Sequence, residues 1–329
     1  MKAAWYENVG LADEVLVVGH MATPEPSAGE VLIRLYASGV NPSDVKARAG
    51  KRAGGSGMPF PRVIPHSDGA GIIEAVGAGV PERRIGTRVW IWNAQWGRAF
   101  GSAAEYVALP ANQAIPLGES VSFETGACLG IPAVTAAHCV MGDGPVKGKT
   151  VMVSGGAGTV GRLAVQIAHL NGARVIATAM NPEDMERAIA AGADVAINFT
   201  SDNVTEQILA ANNGNPVDRI VEVEFGVNAE INAAVITERG SVVTYGSALS
   251  MRPELPFYSF LFKGVNLEFV LVYLLNEKER QLAADHVNAA LTNGLSIPLH
   301  ATYPLEECAK AHNAVEGTGR IGSVVVVID

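Results

Sequence analysis

The sequence predicts an α/β protein of two domains, a β-barrel and a doubly wound parallel sheet. Three observations lead there. Short strand-like runs broken by Pro and Gly crowd roughly the first 120 residues. Near-continuous apolar strands then alternate with helical patterns between residues 151 and 272, as expected of a parallel sheet covered on both faces. Between the first of those strands and its helix lies VMVSGGAGTVG (151–161), in which Gly156, Gly158 and Gly161 fill a G-x-G-x-x-G pattern.

Composition narrows the class. A chain of 329 residues is long enough for two cores, and 48% hydrophobic against 17% charged residues describes a packed globular protein. The formal net charge is −9, without a run of Lys or Arg, so neither nucleic acid nor an anionic membrane is an expected partner. Cys128, Cys139 and Cys308 are odd in number and widely spaced, which gives neither a disulfide framework nor a zinc finger. The first residues lack the apolar core of a signal peptide, and no apolar run reaches a membrane span. A cytoplasmic location is the default.

In the first domain, strands are expected at 30–36, 71–76 and 88–92, and a helix at 44–49. A small, apolar stretch from 125 to 140 reads as a helix crossing the domain boundary. Six strands follow, at 151–154, 174–178, 195–198, 219–223, 241–245 and 267–272. The helices between them are expected at 159–170, 182–191, 204–211 and 227–236, with Asn181 capping the helix that Pro182 starts. A helix at 277–291, a short helix at 305–315 and a closing strand at 323–328 complete the chain. The expected boundaries are 1–120 for the first domain, with 275–329 returning to it, and 121–274 for the second.

The glycine motif points to a dinucleotide. One glycine permits the turn, the next lets backbone approach a pyrophosphate, and the third lets helix and strand pack closely. The helix start offers N–H groups to the phosphates. NAD-binding sheets often place an acid at the tip of the second strand to hold the ribose 2′-hydroxyl. Here that tip reads ATAMNPE (177–183), with no carboxylate before Glu183. The missing acid leaves room for a 2′-phosphate.

ASGVNPSD (37–44), PHSDGAGIIEAVG (65–77), IGTRV (85–89), GSAAEYV (101–107) and ACLGIPAVTA (127–136) occur in this order. After the glycine loop come GSVVTYGS (240–247), YPLEE (303–307) and GRIGS (319–323). In number and order these motifs resemble the quinone oxidoreductase (ζ-crystallin-like) branch of the zinc-independent medium-chain dehydrogenases/reductases, over nearly the full length. The resemblance implies a GroES-like β-barrel domain, a Rossmann domain, and an active site in the cleft between them. It also implies NADPH in preference to NADH, with NADH still possible. Gly156, Ala157, Gly158, Thr159, Val160 and Gly161 would hold the pyrophosphate. Met180 and Asn181 stand at the strand tip, with Met180 and Asp184 where the family pattern has a small polar residue and a Lys. Arg187 or Arg320 would supply the charge for a 2′-phosphate, or each is an ordinary surface arginine. Gly226 and Asn228 fall on the adenosine-ribose side, Tyr245, Gly246 and Ser247 border the nicotinamide ribose, and Phe269, Val270 and Leu271 line the carboxamide. Plain packing is the alternative at each.

Zinc relatives in the superfamily use Cys, His and Cys. The first position here is Asn41 and the second Ile131, leaving His66 alone, so no zinc is expected. His66 reads as a hydrogen-bonded loop residue, with a substrate or proton-supplying role as the alternative. Asn41 resembles the family's active-site Asn; the rival is an Asn-Pro turn. Many relatives carry Tyr where Lys46 stands, so Lys46 either contacts substrate or phosphate, or is solvated. Thr135 falls near the nicotinamide, Asp44 reads as a helix cap and Arg48 as structural. Trp90, Trp92 and Trp96 cluster in VWIWNAQW (89–96) and would stack on a flat acceptor, or fill a core or subunit contact.

The implied activity is NADPH-dependent reduction of a small-molecule quinone or conjugated enone without metal. The alternatives are a nucleotide-binding redox sensor or structural protein with little turnover, and a zinc-free enoyl or alkenal reductase. A homodimer is expected through the sheet edge, with the apolar stretch 257–273 as its source.

Overall fold

A computed structural model describes residues 1–51, 57, 58 and 60–329. The chain divides into two compact units, Met1–Ile131 with Ile297–Asp329, and Pro132–Ser296.

The first unit holds β1 (Lys2–Trp5), α1 (Ala12–Val15), β2 (Val17–His20), β3 (Glu30–Val40), α2 (Pro42–Arg48), β4 (Asp68–Val76), β5 (Arg88–Ile91), β6 (Tyr106–Pro110), β7 (Ala114–Pro116) and α3 (Phe123–Gly126). β3 is its spine. Its residues alternate between buried and half-buried up to Tyr36, the period of a strand with one face inward, and from Ala37 both faces are covered. The closing residues permit that double burial, because Ala37, Ser38 and Gly39 are small. β3 pairs antiparallel with β4 and, over its first half, with β6; β5 and β7 extend the sheet. Ile33, Leu35, Ile64, Ile73, Ile91 and Leu109 fill the interior.

The second unit begins at α4 (Val134–Met141). It continues through β8 (Thr150–Val153), α5 (Thr159–Leu170), β9 (Arg174–Ala179), α6 (Pro182–Ala190), β10 (Val195–Asn198), α7 (Val204–Ala211), β11 (Val217–Glu222), α8 (Phe225–Val235), β12 (Ile236–Thr244), α9 (Phe257–Lys263), β13 (Asn266–Phe269) and α10 (Glu277–Thr292). Its six strands lie in the order β10-β9-β8-β11-β12-β13, all parallel. β8 is buried at every residue, as helices on both faces require. Asn181 caps α6 by accepting from the Asp184 N–H, and Pro182 occupies the first turn. β14 (Leu299–Pro304), α11 (Cys308–Glu316) and β15 (Ser323–Val327) return to the first unit, where β15 joins β3 antiparallel.

Four expectations differ from what forms. The helix foreseen over 125–140 is three pieces: α3, a wide turn at Leu129–Ala133, and α4. Pro132 lacks an N–H and cannot continue a regular helix. The 277–291 helix does not go back to the first unit. As α10 it packs on α4, and the return comes at Ile297. The last strand, expected at 267–272, pairs with β12 only over Asn266–Phe269, and the apolar stretch before it carries a helix at Phe257–Lys263. Trp90 and Trp92 do not share a strand face, because β5 ends at Ile91.

Candidate functional site

In an open parallel sheet, ligands bind beyond the carboxyl ends of the strands where the order reverses. Here that point lies between β8 and β11. The loop after β8 is the glycine motif, and α5 starts at Thr159 with no side-chain cap on Gly158. Helix geometry leaves the first-turn N–H groups without acceptors inside the helix. Each glycine has a separate task. Gly155 carries the positive φ, +65°, that turns the chain. A side chain on Gly156 would strike Ala177 Cβ at 2.7 Å, and one on Gly161 the Gly155 carbonyl oxygen at 2.1 Å. Gly158 is less crowded but not open: a Cβ there would come 3.3 Å from the Gly155 carbonyl oxygen, tighter than an ordinary contact. The turn therefore belongs to Gly155, which the G-x-G-x-x-G reading passed over. A second glycine immediately before the pattern was the available signal.

At the tip of β9, Met180 is 62% exposed. Asn181 is occupied as the α6 cap. Arg187 pairs with Asp184 at 2.9 Å on the same helix. Arg320 belongs to the other unit and donates to the Gly322 carbonyl at 2.6 Å. Beyond β11, Glu222 is buried and takes hydrogen bonds from the Glu224 N–H and from the amides of Asn228 (3.0 Å) and Asn232 (2.9 Å). Asn228 also donates to Ser154 at 3.1 Å, which ties the β8 and β11 loops together. Gly226 donates to Ser247 Oγ, and Ser247 donates to the Ser250 carbonyl, so that hydroxyl serves its own loop. Tyr245 and Gly246 follow β12. Beside them Val270 N–H donates to the Thr244 carbonyl, setting the Phe269, Val270 and Leu271 backbone at the same strand ends. Thr135 is buried in α4.

In the first unit Asn41 begins α2. Its backbone N–H donates to Asp44 Oδ2 at 2.8 Å: α2 starts at Pro42 with Asn41 as its cap, and Asp44, expected to cap a helix at 44–49, is the third helical residue reaching back in a capping box. Its amide donates to Asp68 Oδ2 at 2.8 Å, and the Ile131 N–H donates to the same oxygen, also at 2.8 Å. Burial raises the Asp68 carboxyl well above the usual carboxylate range. The charge of Asp44 adds to this, and the two donors oppose it. The side chain of Lys46 is exposed, whereas Arg48 is fully buried, bonded to the Gly10 carbonyl and 3.0 Å from Glu316.

Two substrate expectations are corrected. Trp90 is 0% exposed and paired in the sheet opposite Ala70 and Ile115, and Trp92 is buried too. Only Trp96 is half-buried. β5 runs between β4 and β7, and Val89, Trp90 and Ile91 are all buried, so both of its faces are covered. His66 is also 0% exposed, with Nδ1 2.8 Å from Ser38 Oγ and Nε2 2.9 Å from His312 Nε2. No part of that ring is left for a substrate.

At the positions where zinc relatives carry thiolates, Asn41 has already given an amide hydrogen to Asp68 and Ile131 is apolar. This donor set does not suit zinc. Among the described residues no helix is long and apolar enough to cross a membrane.

Two family descriptions match the chain: "Alcohol dehydrogenase GroES-like domain" over residues 27–119 and "Zinc-binding dehydrogenase" over residues 159–288. The quinone oxidoreductase of Homo sapiens is 30% identical over 333 residues, covering 100% of this chain and 98% of its own. The solved quinone oxidoreductase of Pseudomonas syringae pv. tomato superposes with a TM-score of 0.84 at 26% identity, covering 99% of both chains. A mycobacterial protein complexed with NADPH superposes with a TM-score of 0.84 at 26% identity, covering 99% of this chain and 100% of its own.

Proposed function

This chain belongs to the quinone oxidoreductase family of the medium-chain dehydrogenases/reductases and is an oxidoreductase, and from that premise we propose that it reduces a quinone or a conjugated enone with NADPH, without zinc. The observation that carries the reading is the glycine loop at the reversal point of the sheet, whose Gly158 stands at the N-terminus of α5 with no side-chain cap. A diphosphate fits there and a side chain would exclude it.

NADPH, when bound, supplies the hydride. The backbone from Gly158 to Gly161 holds the pyrophosphate. The neutral tip at Met180 admits a 2′-phosphate, and Arg187 turns from Asp184 to meet it. Main-chain groups at 269–271 hold the carboxamide and so fix which face of the ring is presented. Asn41 has two amide hydrogens and spends one on Asp68; the other steadies the substrate carbonyl as charge gathers on its oxygen. Burial disfavours charge on Asp68, which limits the negative charge beside a developing oxyanion. No tyrosine stands on α2 to donate a proton, which favours quinones, since they need less acid assistance than enones; exposed Lys46 or solvent supplies the proton.

We place the enzyme in the reducing cytosol, in keeping with three free, buried thiols. We also propose a homodimer, paired through the exposed face of α9 and β13, where Phe257, Tyr258, Phe262 and Phe269 are all more than half exposed.

The test follows loss of the reduced-nicotinamide absorbance with NADPH and NADH against a panel of quinones and a panel of enones. Turnover with NADPH and quinones, unaffected by a zinc chelator, is expected. Absence of turnover with both panels, or loss of activity to the chelator, overturns the reading.

A further inference from the structure

The interior of the first unit gathers three soft or borderline metal donors that the proposed reaction does not use. Cys308 and His312 lie four residues apart on α11 and so face the same way. Opposite them is His66, whose φ of +75° is uncommon for a residue with a side chain. Nε2 of His66 is 2.9 Å from Nε2 of His312 and 4.0 Å from Sγ of Cys308, and all three donor atoms lie within 4.8 Å of one another. Two ring nitrogens held at about 2.0 Å on a trigonal ion stand about 3.5 Å apart, so the rings must part by about 0.6 Å for the ion to enter. All three side chains are fully buried.

Hydrogen bonds set which nitrogen of each ring faces the cluster. Ser102 Oγ donates to the Asp68 carbonyl, Ser38 Oγ lies 2.9 Å from Ser102 Oγ, and His66 Nδ1 lies 2.8 Å from Ser38 Oγ. If each hydroxyl proton is passed along that chain, the His66 proton sits on Nδ1 and Nε2 is a bare acceptor. His312 then donates from Nε2, and its buried Nδ1 finds no hydrogen-bond partner among the described residues. Leaving such an atom unpaired costs about 1–3 kcal/mol. We propose that His66, His312 and Cys308 form a buried, three-coordinate site for one copper(I) ion.

Charge selects the ion. On binding, Sγ loses its proton to solvent and bonds to the metal; a monovalent ion and one thiolate sum to zero. A divalent ion would leave a net positive charge among three fully buried side chains. Thiolate with imidazole in threefold coordination suits copper(I), whereas zinc asks for a fourth ligand.

The test is an anaerobic titration of the intact protein with copper(I) against the chromogenic chelator bicinchoninate, equilibrated long enough for a buried site to fill. The wild type should retain one equivalent, as should Cys128→Ser and Cys139→Ser. Cys308→Ser and His312→Leu should each bind at least a hundredfold more weakly. X-ray absorption on the loaded wild type should report one sulfur and two nitrogen ligands. His312→Leu exchanges one unpaired ring nitrogen, on His312, for another, on His66. Its metal-free thermal midpoint should therefore stay near that of the wild type, which separates loss of the site from loss of the fold. No retained equivalent, an equivalent that survives Cys308→Ser, or tighter binding of zinc than of copper(I) would overturn the proposal.

Discussion

Two alanine substitutions in one loop separate cofactor binding from folding. Gly158 has φ −69° and ψ 166°, which alanine adopts without strain, and a Cβ there meets nothing nearer than 3.3 Å. The 3.3 Å approach to the Gly155 carbonyl oxygen must ease by a few tenths of an ångström, so Gly158→Ala should cost no more than about 1 kcal/mol. The same methyl stands where the pyrophosphate would lie. Losing even one backbone contact to a phosphate and forcing the ligand outward costs at least about 1.4 kcal/mol, a tenfold weaker Kd. Gly161→Ala behaves in the opposite sense. Its Cβ would come 2.1 Å from the Gly155 carbonyl oxygen, and since both atoms belong to backbone, α5 must shift by about 1 Å. That should destabilise the second unit by about 2–4 kcal/mol, a fall in Tm on the order of 4–16 °C. Calorimetric titration with NADPH and scanning calorimetry on both variants measure the two effects. A Gly158→Ala protein that binds NADPH as tightly as the wild type, with an unchanged Tm, would refute the assignment of the loop.

Three further outcomes follow from the same contacts. Arg187→Ala should weaken NADPH about fivefold and leave NADH unchanged in paired titrations, since its bond to Asp184 is a half-exposed pair of little intrinsic strength; equal effects on both nucleotides would remove Arg187 from the 2′-phosphate. Asp68 has a folded-state pKa above its unfolded value, so its contribution is complete below the unfolded value and is lost as pH rises through the folded one. Asp68→Asn keeps an oxygen for both donors and cannot ionise. Its stability relative to the wild type should rise by about 1.4 kcal/mol per pH unit between the unfolded and the folded value and level off above the folded one, and parallel Tm–pH curves would refute the raised carboxyl. Tyr258→Asp combined with Phe262→Asp should halve the mass seen by light scattering, because Phe262 is 80% exposed on α9; a wild type already of single-chain mass would exclude the dimer.

The parallel sheet was legible because its signal is local. Each strand buried on both faces reads as an unbroken apolar run, and each helix opens with its own chemistry, as Asn181 and Pro182 show for α6. Boundaries failed where long-range packing decides. The 125–140 segment has the composition of a helix, yet its middle must let the Ile131 N–H reach Asp68, and Pro132 gives up a backbone donor at that point. The 277–291 helix carries no mark of which unit it will cover. Only its packing against α4 assigns it.

The same division runs through the site. The glycine loop could be read because turn, ligand approach and helix contact fall within seven consecutive residues. The strand-end residues at 245–247 and 269–271 could be placed only by resemblance, since a backbone carbonyl or amide leaves no imprint on side-chain identity. The tryptophans misled for a physical reason: an indole suits a flat ligand and a β-sheet core equally well, and alternation along β5 cannot say which face closes the barrel. The His66 cluster was hidden by distance. His66 and His312 are 246 residues apart and meet only because β15 pairs with β3 and carries α11 across the barrel interior. What the sequence did hold was half of it, the Cys308 and His312 pair at helical spacing. A thiol and an imidazole on one buried helix face need a third partner, and the topology of a returning C-terminal strand decides which loop can supply it.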